Sequence, residues 1–188
     1  MNQQLGAHEL LECHEVLNAT IDGINQFQLY QPHCKDPELL NILQNQINFM
    51  ISEYNTMVQL LRNKGQQQNI GTYRTIKNVT PSYGVTNAHP ETPNTSINEM
   101  DDQDVASGML TASKSSAVLR MHAALECADP QLRSIMIQGA RNCADQAYEV
   151  WKYMNQRGYY PVPTFQESTA QSIINHYQPI GNQVNNQQ

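Results

Sequence analysis

The sequence predicts an all-α fold: an antiparallel four-helix bundle built from two duplicated helical hairpins, joined by a long crossover and followed by a short C-terminal helix. Three observations predict it. The stretches "CKDPELLNILQNQ" from Cys34 and "CADPQLRSIMIQG" from Cys127 share the pattern Cys-x-Asp-Pro-x-Leu at an offset of 93 residues. Apolar residues recur every three or four positions in two long stretches of each half, the period of a helix with one buried face. Between the halves, residues 65 to 100 show no such period and are rich in Gln, Asn, Thr, Pro and Gly.

The offset holds beyond the two turns. Leu17 and Ala19 map to Leu110 and Ala112, Leu39 and Ile42 to Leu132 and Ile135, and Gly65 to Gly158, with Lys64 and Arg157 just before each glycine. No gap is needed, so the spacing reads as an internal duplication.

The first helix is expected from about Leu5 to Tyr30, with Leu10, Cys13, Leu17, Thr20, Ile24 and Phe27 on its inner stripe. "QPHCKDP" breaks it. Asp36 suits the N-cap of the second helix and Pro37 its first position, where a missing N–H costs nothing. That helix carries Leu40, Leu43, Ile47, Met50, Tyr54, Met57 and Leu61 inward, and Lys64 and Gly65 suit its end. The third helix is expected from about Asp101 to Cys127, opened by acids that favour the positive end of the helix dipole. Its stripe is weak and rich in Ala and Ser. The fourth runs from about Pro130 to Arg157, with Met136, Ala140, Cys143, Ala147, Val150 and Met154 inward and Gly158 as the stop. After "YYPVP", Thr164 and Glu167 read as a capping box that opens a short helix ending near His176.

These elements divide one domain, residues 1–188, into a first hairpin (1–65), a crossover (66–100), a second hairpin (101–158) and a tail (159–188) whose end is expected to be disordered. An up-down-up-down bundle would need only a short central loop. A connection long enough to cross the bundle is the ferritin-like one, so the expected topology is ferritin-like, with the hairpins related by a pseudo-two-fold axis.

Composition excludes several functions. The net charge is −6, with a pI of about 5.4, which gives no electrostatic case for nucleic acid as a partner. No segment is apolar enough for a membrane span. The stretch "MNQQLGAHELLECHE" lacks a basic region followed by an apolar one, so it does not read as a secretory signal and the four cysteines are expected to be reduced. There is no P-loop, dinucleotide fingerprint or nucleophile elbow, so no catalytic and no cofactor-binding residue is assigned.

Metal ligation follows the same way. Ferritin-like di-metal sites need a Glu from two helices and Glu-x-x-His from the other two. Here Glu53 is followed at that spacing by Thr56 and Glu149 by Lys152, and the repeat partner of Glu53 is Gln146. His8 with Glu12, and His122 with Glu126, are one turn apart and read as solvated surface pairs; His14 reads as a flank residue. No metal ligand is assigned.

The stretch from Asp104 to Val162 resembles the Coat F family of bacterial spore-coat proteins. The resemblance is carried by a first helix rich in small residues, the turn Ala128 to Arg133, and Tyr148, Trp151, Tyr153, Met154, Gly158, Tyr159 and Tyr160, with Pro161 after them. It implies a ferritin-like bundle in a spore-forming bacterium and no established enzyme activity. It also implies a protein made in the mother-cell cytoplasm and then placed in the spore coat. Its partners would be other spore coat proteins and further copies of itself in a homo-oligomer. The family lies near metal-using ferritin-like proteins, manganese catalases among them, which keeps an alternative: a metal-binding protein with a redox or storage role, using Glu12, Glu53, Glu126 and Glu149. A third reading is a small-ligand carrier using an Ala-rich cavity between the third and fourth helices.

A coat protein is held by packing and by cross-links. Cys34 and Cys127, at equivalent hairpin turns and expected at one end of the bundle, are candidates for disulfide linking, while Cys13 and Cys143 lie on core stripes. Tyr159 and Tyr160 are candidates for oxidative coupling. Tyr148, Trp151 and Tyr153 cannot all face the core, so Tyr148 and Trp151 are candidates for an interaction surface.

Overall fold

The computed structural model describes residues 5–62, 69–85 and 92–180. Its helices are α1 (Ala7–Tyr30), α2 (Pro37–Arg62), α3 (Asp102–Glu126), α4 (Pro130–Gln156) and α5 (Glu167–Asn175). Lys64, Gly65 and residues 181–188 lie outside the described residues, so the stop assigned to the second helix and the expected disorder of the last residues do too.

Cap chemistry accounts for the boundaries. Asp36 accepts the N–H of Glu38 at 2.8 Å and Asp129 that of Leu132 at 2.8 Å, so both copies of the Asp-Pro turn start a helix as expected. Asp101 accepts from Gln103 and Asp104 at the start of α3. Gly158 adopts φ +75°, the left-handed conformation that ends α4. The capping box expected at Thr164 is not formed. α5 begins at Glu167 itself, after Gln166, without a side-chain cap.

The chain order gives two antiparallel hairpins, and the contacts between them fix the topology. Thr20 meets Arg120 across α1 and α3, and Glu53 meets Asn142 across α2 and α4. Asp36 at the start of α2 meets Arg157 at the end of α4. Both cross-hairpin pairs are therefore antiparallel, while α2 and α3 run the same way. That arrangement requires the intervening segment to travel the length of the bundle.

The segment does so along α4. Tyr73 N–H donates to Asn142 (3.0 Å), Lys77 N–H to Glu149 (3.1 Å) and Ser82 N–H to Asn155 (2.7 Å). Gly84 N–H then reaches Val162 O at 2.9 Å. Ile70, Tyr73 and Lys77 are buried, so the crossover is part of the packed structure rather than a tether.

The core has two apolar clusters. Around the α1–α2 turn it holds Phe27, Leu39, Ile42, Met109, Val150 and Tyr153. At the other end it holds Cys13, Val16, Met57, Leu132, Ile135 and Met136. All six residues expected inward on α4 are buried. On α1, Cys13, Thr20 and Phe27 are buried but Leu10 is exposed. Glu9 takes the inward place at that turn, because its carboxylate receives the N–H groups of Gly6 and Asp129, both at 2.6 Å. On α2 the buried face runs through Leu39, Ile42, Leu43, Gln46, Ile47, Glu53 and Met57, and Leu40, Met50, Tyr54 and Leu61 flank it.

The 93-residue offset relates structural roles as well as letters. It maps buried Leu39, Ile42, Leu43, Ile47 and Met57 onto buried Leu132, Ile135, Met136, Ala140 and Val150. It also maps Glu9 onto Asp102. Glu9 receives the Asp129 N–H, and Asp102 receives the N–H groups of Lys35 (2.7 Å) and Asp36 (3.0 Å). Each hairpin's first turn thus ties down the other hairpin's bend.

Candidate functional site

The two turn cysteines lie at opposite ends of the bundle, not at one. Cys34 sits by the start of α3, where Asp102 holds the neighbouring amides, and Cys127 sits by the start of α1, where Glu9 holds Asp129. A pseudo-two-fold across a bundle with this connection exchanges its ends, so equivalent turns must be far apart. They also differ in access. Cys34 is half-buried, whereas Cys127 is buried with Cys13 and Cys143. Burial, with Asp102 nearby, pushes the Cys34 thiol up to about 12, and burial does the same to Cys13. Cys127 and Cys143 rise to about 11, again chiefly through burial. At neutral pH all four are thiols, which are poor nucleophiles.

The aromatic residues separate as the sequence required. Tyr153 is fully buried, its hydroxyl donating to Asp36 at 3.1 Å. Tyr159 is half-buried beside it, ring centroids 6.5 Å apart. Tyr148, 48% exposed, stacks on Trp151 at 5.5 Å and 8°, and Tyr160, 40% exposed, meets Trp151 edge-on at 6.4 Å. The ammonium groups of Lys152 and Lys114 lie 5.0 and 5.1 Å from the ring centres of Tyr148 and Tyr160. The result is two exposed rings held on either side of half-buried Trp151, which also packs on the core, with the ammonium of buried Lys152 beside one ring and that of Lys114 beside the other.

Between the apolar clusters the bundle interior is polar. Glu53 is almost fully buried, accepts from Asn142 at 2.6 Å and pairs with Arg120 at 3.3 Å. Burial raises its pKa against the opposing pull of Arg120 and Asn142. Glu149 is fully buried and takes the Tyr73 hydroxyl, the Ile76 and Lys77 amides, and Gln46 at 3.3 Å. Lys152 donates to the Lys77 carbonyl and Lys77 pairs with Glu38. The two interior carboxylates are thus engaged by protein donors. Glu126 is exposed, and Glu12 faces His122 of α3 at 3.8 Å, a cross-helix pair in place of the two within-helix pairs expected. The four glutamates weighed as metal ligands do not converge. Among the described residues, no three His, Cys, Asp or Glu side chains gather as a metal-holding group.

Sequence reasoning missed the crossover's part in this layer. Tyr73, Lys77 and Asn142 carried no periodic signal that marked them. The hint was the group of Tyr73, Arg74 and Lys77 inside a segment otherwise rich in Gln, Asn and Thr.

The comparisons with known proteins bear on these features. The Coat F domain model matches residues 101–163. The spore coat protein F-like protein YhcQ of Bacillus subtilis strain 168 is 32% identical over 180 residues, which cover 95% of this chain and 83% of that one. The chain belongs to the Coat F family. The domain match spans α3, α4 and the aromatic patch, and the likeness to the B. subtilis relative extends through the first hairpin and the crossover. The crystal structure of a candidate spore coat protein from Bacillus halodurans C-125 superposes with a TM-score of 0.64. It covers 88% of this chain and 97% of its own at 15% identity, which shows a shared fold. Coat F membership supports a spore-coat role. Among the described residues, no helix is long and apolar enough to cross a membrane.

Proposed function

We propose that this Coat F protein is a non-catalytic structural or assembly protein of the bacterial endospore coat, acting through self-association and contacts with other coat proteins. The patch of Tyr148, Trp151 and Tyr160 carries this reading. Rings already stacked lose little side-chain entropy on docking, and aromatic residues dominate the energetics of protein interfaces. Made in the mother-cell cytoplasm, the chain would meet its partners there and be laid onto the spore. Exposed tyrosines on the same patch, and Cys34 at the nearer end of the bundle, would supply positions for covalent linking once the coat becomes oxidising. The shared offset of sequence, burial and turn contacts supports descent of both hairpins from one duplicated unit.

The test is light scattering of the full chain over a range of concentrations, beside Tyr148→Ala, an exposed position where folding should survive. A dimer or larger species that weakens tenfold or more in the variant is the expected result. A monomer at every concentration, or an unchanged association constant in the variant, refutes the assignment of the patch.

A further inference from the structure

A small cavity lies at mid-bundle, next to but distinct from the Glu149 network. Arg120, Gln146 and Cys143 line it with Thr20, Ser113 and Ser116, and it has room for one or two water-sized particles, about 20 Å³. Arg120 is 3% exposed and Gln146 2%. Among the described residues four buried side-chain atoms in this layer have no hydrogen-bond partner: the acceptors Glu53 Oε2 and Gln46 Oε1, outside the cavity lining, and Arg120 Nη1 and Gln146 Nε2, on residues that line it. The two on lining residues are donors. Buried donors left without an acceptor are costly, and native structures rarely keep two beside one cavity unless something accepts from them.

We propose that this cavity binds a single small inorganic anion of halide size. Its lining includes no carboxylate. Glu53 balances Arg120 from beyond the cavity wall, through Arg120 Nη2 at 3.3 Å. The same Nη2 donates to Thr20 Oγ1 at 3.1 Å, and the Thr20 hydroxyl in turn donates to the Val16 carbonyl at 2.7 Å. These bonds fix the guanidinium and leave Nη1 over. A halide accepts from both donors, and the Ser113 and Ser116 hydroxyls of the lining can turn their protons to it as well; a water there would hand its own two protons to those oxygens or to the Cys143 sulfur. Ala19 and Gly23 of α1 and Ala112 and Ser116 of α3 also line the cavity. Gly139 completes the design, because a Cβ at that position would stand 2.6 Å from Arg120 Nη1.

The experiment measures the thermal midpoint of the full chain in sodium bromide against sodium gluconate at matched ionic strength, with wild type, Gln146→Leu and Glu53→Gln. An ion bound only by the folded state raises the midpoint with the logarithm of its concentration. The expected result is a bromide-dependent rise in wild type that is lost in Gln146→Leu. The rise should set in at lower bromide in Glu53→Gln, where the competing carboxylate charge is gone. Bromide-soaked wild-type crystals, which need no variant to fold, should show an anomalous peak beside Arg120 and Gln146. Equal midpoints in both salts, a rise that survives in Gln146→Leu, or no bromide peak in the cavity overturns the proposal and leaves water as the occupant.

Discussion

Replacing Glu149 with alanine should detach the crossover from the bundle. The carboxylate is fully buried and serves the Tyr73 hydroxyl, the Ile76 and Lys77 amides and the Gln46 amide. Alanine leaves these donors facing a void. Each buried donor without a partner costs roughly 1–3 kcal/mol. Tyr73 and Lys77 are buried, while Ile76 is exposed enough to find water and Gln46 keeps the Gln146 carbonyl at 3.1 Å, so two donors count fully, for about 2–6 kcal/mol. Water entering the void trims the upper end, leaving about 2–4 kcal/mol. For a domain with 5–15 kcal/mol in all, that is a large fraction. Glu149→Gln keeps the volume but turns an amide NH₂ toward some of the same donors, and should fall between, at about 1–3 kcal/mol. Urea unfolding measures both changes. Hydrogen exchange locates them: in Glu149→Ala, the amides of residues 73 to 82 should lose protection before those of α4. A loss under 1 kcal/mol in Glu149→Ala with the Tyr73 and Lys77 amides still protected would refute the strut.

Two further predictions concern protons and thiols. Asp36 is held below its ordinary pKa: burial opposes this, but the Glu38 N–H, Arg157 and the Tyr153 hydroxyl outweigh it. A depressed carboxylate gives stability that is present above its unfolded pKa and lost as pH falls through the folded one. The thermal midpoint should therefore drop below about pH 4, and more shallowly in Asp36→Asn; equal acid slopes would exclude Asp36 as a source. Alkylation of the native protein near pH 7.5 should be slow throughout and should reach half-buried Cys34 first. Cys127, Cys13 and Cys143 should wait for unfolding, and labelling of Cys127 as fast as Cys34 by mass spectrometry would contradict the burial described here.

The legible part of this molecule was its local chemistry. Asp36 and Asp129 announced helix starts because an N-cap acts on amides only two or three residues away. Met136, Ala140, Cys143, Ala147, Val150 and Met154 announced an inner face because period and burial coincide where one helix has neighbours on one side. The same reasoning misplaced Leu10, since a polar residue with a distant partner, Glu9, could take the inward position. It expected that Tyr148, Trp151 and Tyr153 could not all turn inward, and the helix does divide them, with Tyr153 buried, Tyr148 exposed and Trp151 half-buried against the core. It put Cys34 and Cys127 together because likeness of sequence says nothing about which end of the bundle a turn occupies.

By itself, then, the sequence determined the number and order of the helices, the starts of α2, α3 and α4, the long connection and the repeated turn, all of which depend on residues a few positions apart. Only the tertiary structure decided that Glu53 faces Arg120, that Glu149 anchors the crossover and that two donors are left at mid-bundle. Those pairings join residues roughly 70 to 100 positions apart. A helical period shows which way a side chain faces, but only packing chooses what it meets.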